Sequence, residues 1–184
     1  MTKRHRPLDR AFYARDPRLV APDLLGAMLA HGPTMGRITE TEAYLAVDDP
    51  AAHAYRGRTK RTEVLFGRPG HAYVYRTRQH HCLNVVVQEE GVPGCVLIRA
   101  VEPIAGVALM RCRRGDVPDS RLTDGPGKLC QALAIDIRHY GEDLCGAGKV
   151  AIFAGEREPS EILTTPRIGI SRAVDWPLRY SLAS

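Results

Sequence analysis

The apolar residues of this chain come in short runs, and turns rich in glycine and proline cut between them. His71 to Thr77 (HAYVYRT), Cys82 to Gln88 (CLNVVVQ) and Cys95 to Val101 (CVLIRAV) each have the length and the Tyr, Val and Ile content of a strand. Gly67 to Gly70 and Gly91 to Gly94 separate them. Runs this short leave little room for long helices. They predict an α+β fold, with a curved, mainly antiparallel sheet and short flanking helices. The first two runs should pair as a protruding β-hairpin with a basic tip around Arg76 to His81.

The other elements read as follows. Asp16-Pro17 followed by Leu19, Val20, Leu24, Leu25 and Met28 predicts one or two short helices ending near His31-Gly32-Pro33. Gly36 to Leu45 (GRITETEAYL) predicts a strand of alternating faces, with Ile38, Glu40, Glu42 and Tyr44 on one side. Ile104 to Arg113 should be helical. A further helix should open at Asp124-Gly125-Pro126-Gly127-Lys128, with Asp124 as N-cap. Short strands are expected around Val150–Phe153, Arg167–Ile170 and Leu178–Ser181. The chain of 184 residues has no repeat and no linker, so one domain over 1–184 is expected, with 1–10 as a loose tail.

Composition excludes some classes of protein. The five cysteines are odd in number and never spaced C-x-x-C, which argues against a disulfide framework or a zinc ribbon and for buried reduced thiols. The mean hydropathy is −0.23 and no apolar run approaches a membrane span. With no apolar leader near the N-terminus, a cytoplasmic location and no membrane partner are expected. The single tryptophan, Trp176, is given no role, with core packing as its default.

Charge is more informative. The net charge is +5, yet from His53 to His81 the chain carries Arg56, Arg58, Lys60, Arg61, Arg68, Arg76 and Arg78 against Glu63 alone. A local basic stretch on a near-neutral remainder suits a polyanion such as nucleic acid, or else a solvated loop face.

Glu42 is the first candidate for chemistry. If its face of the strand is inward, Glu40 and Glu42 sit about 7 Å apart and are buried, the way a general base is made; if it is outward, both are surface acids. Arg99 lies inside an otherwise apolar run and needs an acidic partner, which Glu40 or Glu42 could supply, unless it snorkels out from a strand edge. Tyr44, Tyr73 and Tyr75 offer flat faces, and stacking on an extruded base contributes about 1–3 kcal/mol. They could equally be ordinary core tyrosines. The glycine-bearing helix start ahead of Lys128 is a natural phosphate seat, though not a Walker A loop. A metal set of Glu42, Asp48, Asp49 and His53 matches no known ligand spacing.

Several stretches, in this order, resemble the alkyladenine (3-methyladenine) DNA glycosylase family. They are Glu40-Thr41-Glu42-Ala43-Tyr44-Leu45, Ala51-Ala52-His53, Arg58-Thr59-Lys60-Arg61, Tyr73-Val74-Tyr75 and Leu83-Asn84, then Cys95 to Pro103, Gly125 to Leu133 and Pro166-Arg167-Ile168-Gly169-Ile170. The resemblance runs from about Phe12 to Tyr180. It implies a single α+β domain with a hairpin that inserts into DNA. It also implies a monofunctional hydrolase of base excision repair, which flips alkylated or deaminated purines and leaves an abasic site without lyase activity. Candidate lesions are 3-methyladenine, 7-methylguanine, hypoxanthine and ethenoadenine.

By this resemblance Glu42 is the general base and Arg99 its partner. Tyr44, His53 and Tyr75 wall the base pocket, and Asn84 gates it against the 2-amino group of guanine. Lys128 contacts phosphate, and Arg56, Arg58, Lys60, Arg61, Arg76, Arg78 and His80 serve the DNA surface. No cofactor or metal is implied. The partner is double-stranded DNA with damaged purines, met by a monomer associated with the nucleoid. The family inserts a bulky, often aromatic, residue at the hairpin tip; here the tip offers only Arg78, Gln79 or His80. The rival functions are a metal-dependent nuclease built on Glu42, Asp48, Asp49 and His53, and a non-catalytic nucleic-acid-binding module.

Overall fold

A computed structural model describes residues 6–77, 79–146, 148–155 and 161–183. Among the described residues eight strands form one antiparallel sheet. They are β1 (Met28–His31), β2 (Thr34–Tyr44), β3 (Ala72–Arg76), β4 (His81–Val87), β5 (Gly94–Ala105), β6 (Val150–Phe153), β7 (Ile162–Thr165) and β8 (Arg179–Leu182). Their order is β3-β4-β5-β2-β1-β6, and β8 pairs with Glu40 to Glu42 of β2 while carrying β7 on its outer side. Four short helices flank the sheet: α1 (Arg10–Tyr13), α2 (Pro17–Asp23), α3 (Val107–Arg114) and α4 (Pro126–Leu133). This is the α+β architecture expected from the short runs.

The sheet has two unlike faces, and strand periodicity assigns each side chain to one of them. On one face Ala43, Ala72, Val74, Leu83, Val85, Val87, Val96 and Ile98 pack with Val20 of α2, Leu24 at its C-cap, and Leu129 and Leu133 of α4 into the main core. The alternate residues face the other way. Tyr73, Val86 and Cys95 join Ala54 and Leu65 in a smaller cluster, with Tyr44 and Tyr75 packed against it. Glu42, Asn84, Leu97 and Arg99 share the strand parity of this second face.

The parity predicted for β2 fails at one point. Ile38 belongs to the main core, not to the face of Glu42. The register explains why: Ile38 pairs with Val101, Glu40 with Ala100, and Thr41 with Ile98. Thr39 on β2 and Arg99 on β5 are therefore each an extra residue at a β-bulge, and a bulge re-aims the side chains that follow it.

Other expectations are corrected. Met28 to His31 is strand, not helix end, because ladder bonds to β2 and β6 on both edges outweigh local helix propensity. Ile104 and Ala105 extend β5, and α3 begins only at Val107. Arg167 to Ile170 is irregular; the strand lies upstream at β7 and stops ahead of Pro166, which has no N–H to donate. Gly125, not Asp124, is the N-cap of α4. The tail expected over 1–10 is held from Pro7 onward, since Pro7 bridges Phe153 and the Leu8 N–H donates to Ile152 O at 2.8 Å. Trp176 is exposed rather than in the core. Cys82, Cys95 and Cys130 are buried, whereas Cys112 is exposed and Cys145 half-buried; all five are free thiols.

The buried Thr41 hydroxyl donates to Ala21 O at 2.8 Å and so ties α2 to β2 beside Glu42. Thr41→Val keeps the volume but orphans that carbonyl, and should cost about 1–3 kcal/mol in urea unfolding. A loss below about 0.5 kcal/mol would show that the helix carbonyl finds another donor.

Candidate active site

Glu42 has no solvent exposure. A buried carboxylate needs donors, and three converge on it. The Ile168 backbone N–H donates to Oε1 at 2.8 Å, the Tyr44 hydroxyl donates to Oε2 at 2.9 Å, and Nη1 of Arg99 lies 3.1 Å from Oε1. The Tyr44 phenol is held well above its ordinary range, first by burial and then by the charge of Glu42, so it remains a donor. Arg99 also reaches Glu40, with Nε at 2.7 Å from Oε1, and Arg179 meets the same oxygen at 2.5 Å. The bulge thus aims one guanidinium at both acids that the sequence offered it. Two of the acceptor positions of Glu42 are taken on Oε1 and one on Oε2, which leaves Oε2 with a free lone pair among the described residues.

Glu42 lies directly behind the lining of a cavity of about 350 Å³, to which its three donors contribute. Tyr44, His53, Tyr73 and Tyr75 supply aromatic walls, Cys82, Asn84, Cys95, Leu97 and Arg99 the sheet floor, and Ile168, Gly169 and Ile170 the rim. His53 stands edge-on to Tyr75, with ring centroids 4.6 Å apart, and its Nδ1 lies 2.8 Å from the Tyr73 hydroxyl. Asn84 is buried: its Nδ2 donates to Tyr73 O at 3.1 Å and its Oδ1 accepts from the Cys95 thiol at 3.8 Å. Burial pushes that thiol up to about 12, so it stays protonated. Tyr44, His53, Tyr75, Asn84 and Arg99, separated in the sequence, therefore surround one cavity of a size to enclose a single ring system.

The basic residues are placed differently. Arg56, Arg58, Lys60, Arg61 and Arg76 are exposed, with the Arg61 guanidinium 5.2 Å from the ring of Tyr75, a cavity residue, and that of Arg58 4.9 Å from the ring of Phe66. Arg78 lies outside the described residues. Gln79 and His80 are exposed at the hairpin tip, and His80 packs so closely on α4 that a Cβ at Gly127 would sit 2.7 Å from its own Cβ. Lys128 is paired with Asp124 at 2.7 Å.

Sequence reasoning missed part of the site. Cys82 and Leu97 could have been found, since they share strand parity with Asn84 and Arg99. The ion pair of Asp49 with Arg167 could not, because 118 residues separate the two. It also bears on the rival metal set: Asp49 is taken by Arg167 and Glu42 by its three donors. Among the described residues no group of three or more His, Cys, Asp or Glu could hold a metal ion. Nor, among those residues, is any helix long and apolar enough to cross a membrane.

A cavity with aromatic walls thus lies beside a buried, donor-capped carboxylate. Residues 11–184 match the methylpurine-DNA glycosylase family. A protein of Methanoculleus marisnigri is 50% identical over 182 residues, covering 95% of this chain and 94% of the relative. One of Carboxydothermus hydrogenoformans is 48% identical over 181 residues, covering 95% and 94%. One of Rhodopseudomonas palustris is 51% identical over 178 residues, covering 96% and 87%. All three bear the name of 3-methyladenine DNA glycosylases. The chain belongs to the methylpurine-DNA glycosylase family, and with that family it is a hydrolase of N-glycosyl bonds in DNA.

His53 gives a test of the cavity. Lost solvation against the tyrosines lowers its pKa from 6.5 to about 4, and repulsion from Arg61 adds to this. The folded-state value lies below the unfolded one, so the stabilisation is complete above pH 6.5 and is lost as the pH falls toward about 4. NMR titration of the His53 ring should find a midpoint near 4, and Arg61→Gln should raise it while leaving it below 6.5. A wild-type midpoint at 6.5 would place the ring in open solvent.

Proposed function

We propose that this enzyme flips an alkylated or deaminated purine out of duplex DNA into the tyrosine-walled cavity and cleaves its glycosidic bond with water activated by Glu42. The observation that carries this reading is the Glu42 carboxylate: buried, held by Arg99, Tyr44 and the Ile168 amide, with one acceptor position left on Oε2. A water held there would be aimed by a fixed base. As its oxygen bonds to C1′ of the sugar, its proton passes to Glu42, the C1′–N bond breaks, and the electron pair leaves with the purine. The sugar becomes cationic in the transition state, and a carboxylate in a dry site stabilises such charge strongly. General-base assistance contributes typically about 10²–10⁴-fold.

The walls suit the base. Tyr44 and Tyr75 offer stacking faces, and a cation over an aromatic face gains about 0.5–2 kcal/mol, which favours bases made positive by alkylation at N3 or N7. Neutral lesions such as hypoxanthine and ethenoadenine need protonation and should react more slowly. Asn84 at the cavity floor would discriminate against guanine. Among the described residues the lining contains no lysine that could form a Schiff base, so the expected product is an abasic site and not a cleaved strand. Arg56, Arg58, Lys60, Arg61, Arg76 and Arg78 would meet the phosphates, with Lys128 released from Asp124. One of Arg78, Gln79 and His80 would fill the gap in the duplex. The enzyme would act as a monomer, without a metal.

Single-turnover release of base from methylated DNA, and from a duplex with one hypoxanthine or ethenoadenine, tests this with a chelator present. Wild type should release base, and Glu42→Gln should fall by about 10²-fold or more. Equal rates in the two proteins would remove Glu42 as base. Activity that the chelator abolishes would bring back the nuclease reading.

Binding to duplex should weaken with salt, with a log–log slope of about −0.9 per phosphate neutralised. Charge-removing substitutions at Arg58 and Lys60 should each flatten that slope by about one unit. An unchanged slope would take these residues off the DNA surface.

A further inference from the structure

The structure assigns a positioning role to the buried ion pair of Asp49 and Arg167: it holds the two loops that seal Glu42 and wall the cavity. The inference rests on the reading of Glu42 as the base. Both side chains have no solvent exposure, and they meet in a two-pronged contact, with Nη1 to Oδ2 at 2.6 Å and Nη2 to Oδ1 at 2.8 Å.

Each partner is also anchored to the site. The Asp49 carboxylate accepts the Leu45 N–H and the Ala51 N–H, both at 3.0 Å. This folds the segment after β2 back on itself and sets Ala51 and His53 as cavity wall. Arg167 Nη1 also donates to Ala43 O at 3.0 Å, the carbonyl between Glu42 and Tyr44, and its guanidinium stacks 4.7 Å from the Tyr44 ring. The residue after Arg167 is Ile168, whose N–H caps Glu42. One guanidinium thus controls the placement of the base, of the tyrosine that donates to it, and of the amide that caps it.

A merely structural ion pair would be an expensive choice here. Burying two charges costs several kcal/mol per ion before their attraction is counted, and apolar replacements are often as stable. Arg167 Nε is buried with no partner among the described residues, a further sign that stability alone does not account for the arrangement. Asp49 is nonetheless held ionised: burial works against its charge, and the hydrogen bonds from Arg167 and the Leu45 amide outweigh burial, leaving the carboxyl below the usual carboxylate range. A charged pair with fixed two-pronged geometry locates a loop more sharply than apolar packing does.

The test uses the whole chain, with Asp49→Asn, which keeps shape but loses charge, and Arg167→Lys, which keeps charge but loses the fork. A third variant, Ile152→Ala in β6 at the far edge of the sheet, removes buried side-chain volume and so lowers the melting temperature without touching the site. If the pair positions the catalytic loops, both site variants lose about 10²-fold in single-turnover excision, because small misplacements of reacting groups have that effect. Their affinity for undamaged duplex should stay within about twofold of wild type, and Ile152→Ala should excise at nearly the wild-type rate.

Excision near the wild-type rate in either folded site variant would overturn the proposal, and so would losses that merely track melting temperature as in Ile152→Ala. If Asp49→Asn does not fold, Arg167→Lys carries the test. Failure of the underlying reading looks different: there Glu42→Gln itself excises normally, or wild type releases no base at all.

Discussion

Everything around the site depends on keeping a carboxylate out of water. An isolated ionised group in a protein interior is costly by many kcal/mol, so the chain must bring donors to Glu42 or lose the fold there. It brings them from three separate places: a guanidinium from β5, a phenol two residues along β2, and a backbone amide from the loop before β8. None is adjacent to Glu42 in sequence, yet all are near it because β2 is flanked by β5 on one edge and β8 on the other. The position of β2 between these two neighbours is therefore a requirement of the site as much as a feature of the fold.

The bulge resolves a conflict between packing and chemistry. An unbroken β2 would put Ile38 on the same face as Glu42, and either the core would lose an isoleucine or the acid would enter it. The extra residues, Thr39 on one strand and Arg99 on the other, let Ile38 face the helices while Glu42 faces the cavity. Arg99 at the bulge then spans Glu40 and Glu42 together.

Much of this was legible in the residues. Short β-rich runs between glycine turns announced an antiparallel sheet, and β3, β4 and the start of β5 fell within a residue or two of the expected runs because their apolar content is unambiguous. The pairing of Arg99 with an acid could be anticipated from one charge in an apolar run. Three things could not be read. Met28 to His31 is strand only because both its edges are occupied. The bulge leaves no mark in composition, so the parity of Ile38 was misjudged. The Asp49–Arg167 pair joins residues that nothing local connects. Local pattern reports what a segment prefers; partners distant in sequence decide the rest.

The charges of the site balance within it. Glu40, Glu42 and Asp49 are matched by Arg99, Arg179 and Arg167, so the dry wall of the cavity carries no excess charge of either sign. Against that background a neutral His53 matters. A protonated imidazole in the wall would repel a base that alkylation had made cationic, and it would weaken the attraction of the tyrosine faces for that base. Lost solvation against the tyrosines and the nearness of Arg61 favour the neutral ring. The cations that would attract DNA are exposed, where phosphates can reach them. On the proposed reading the cavity itself would discriminate by shape, stacking and the single carboxylate behind its lining.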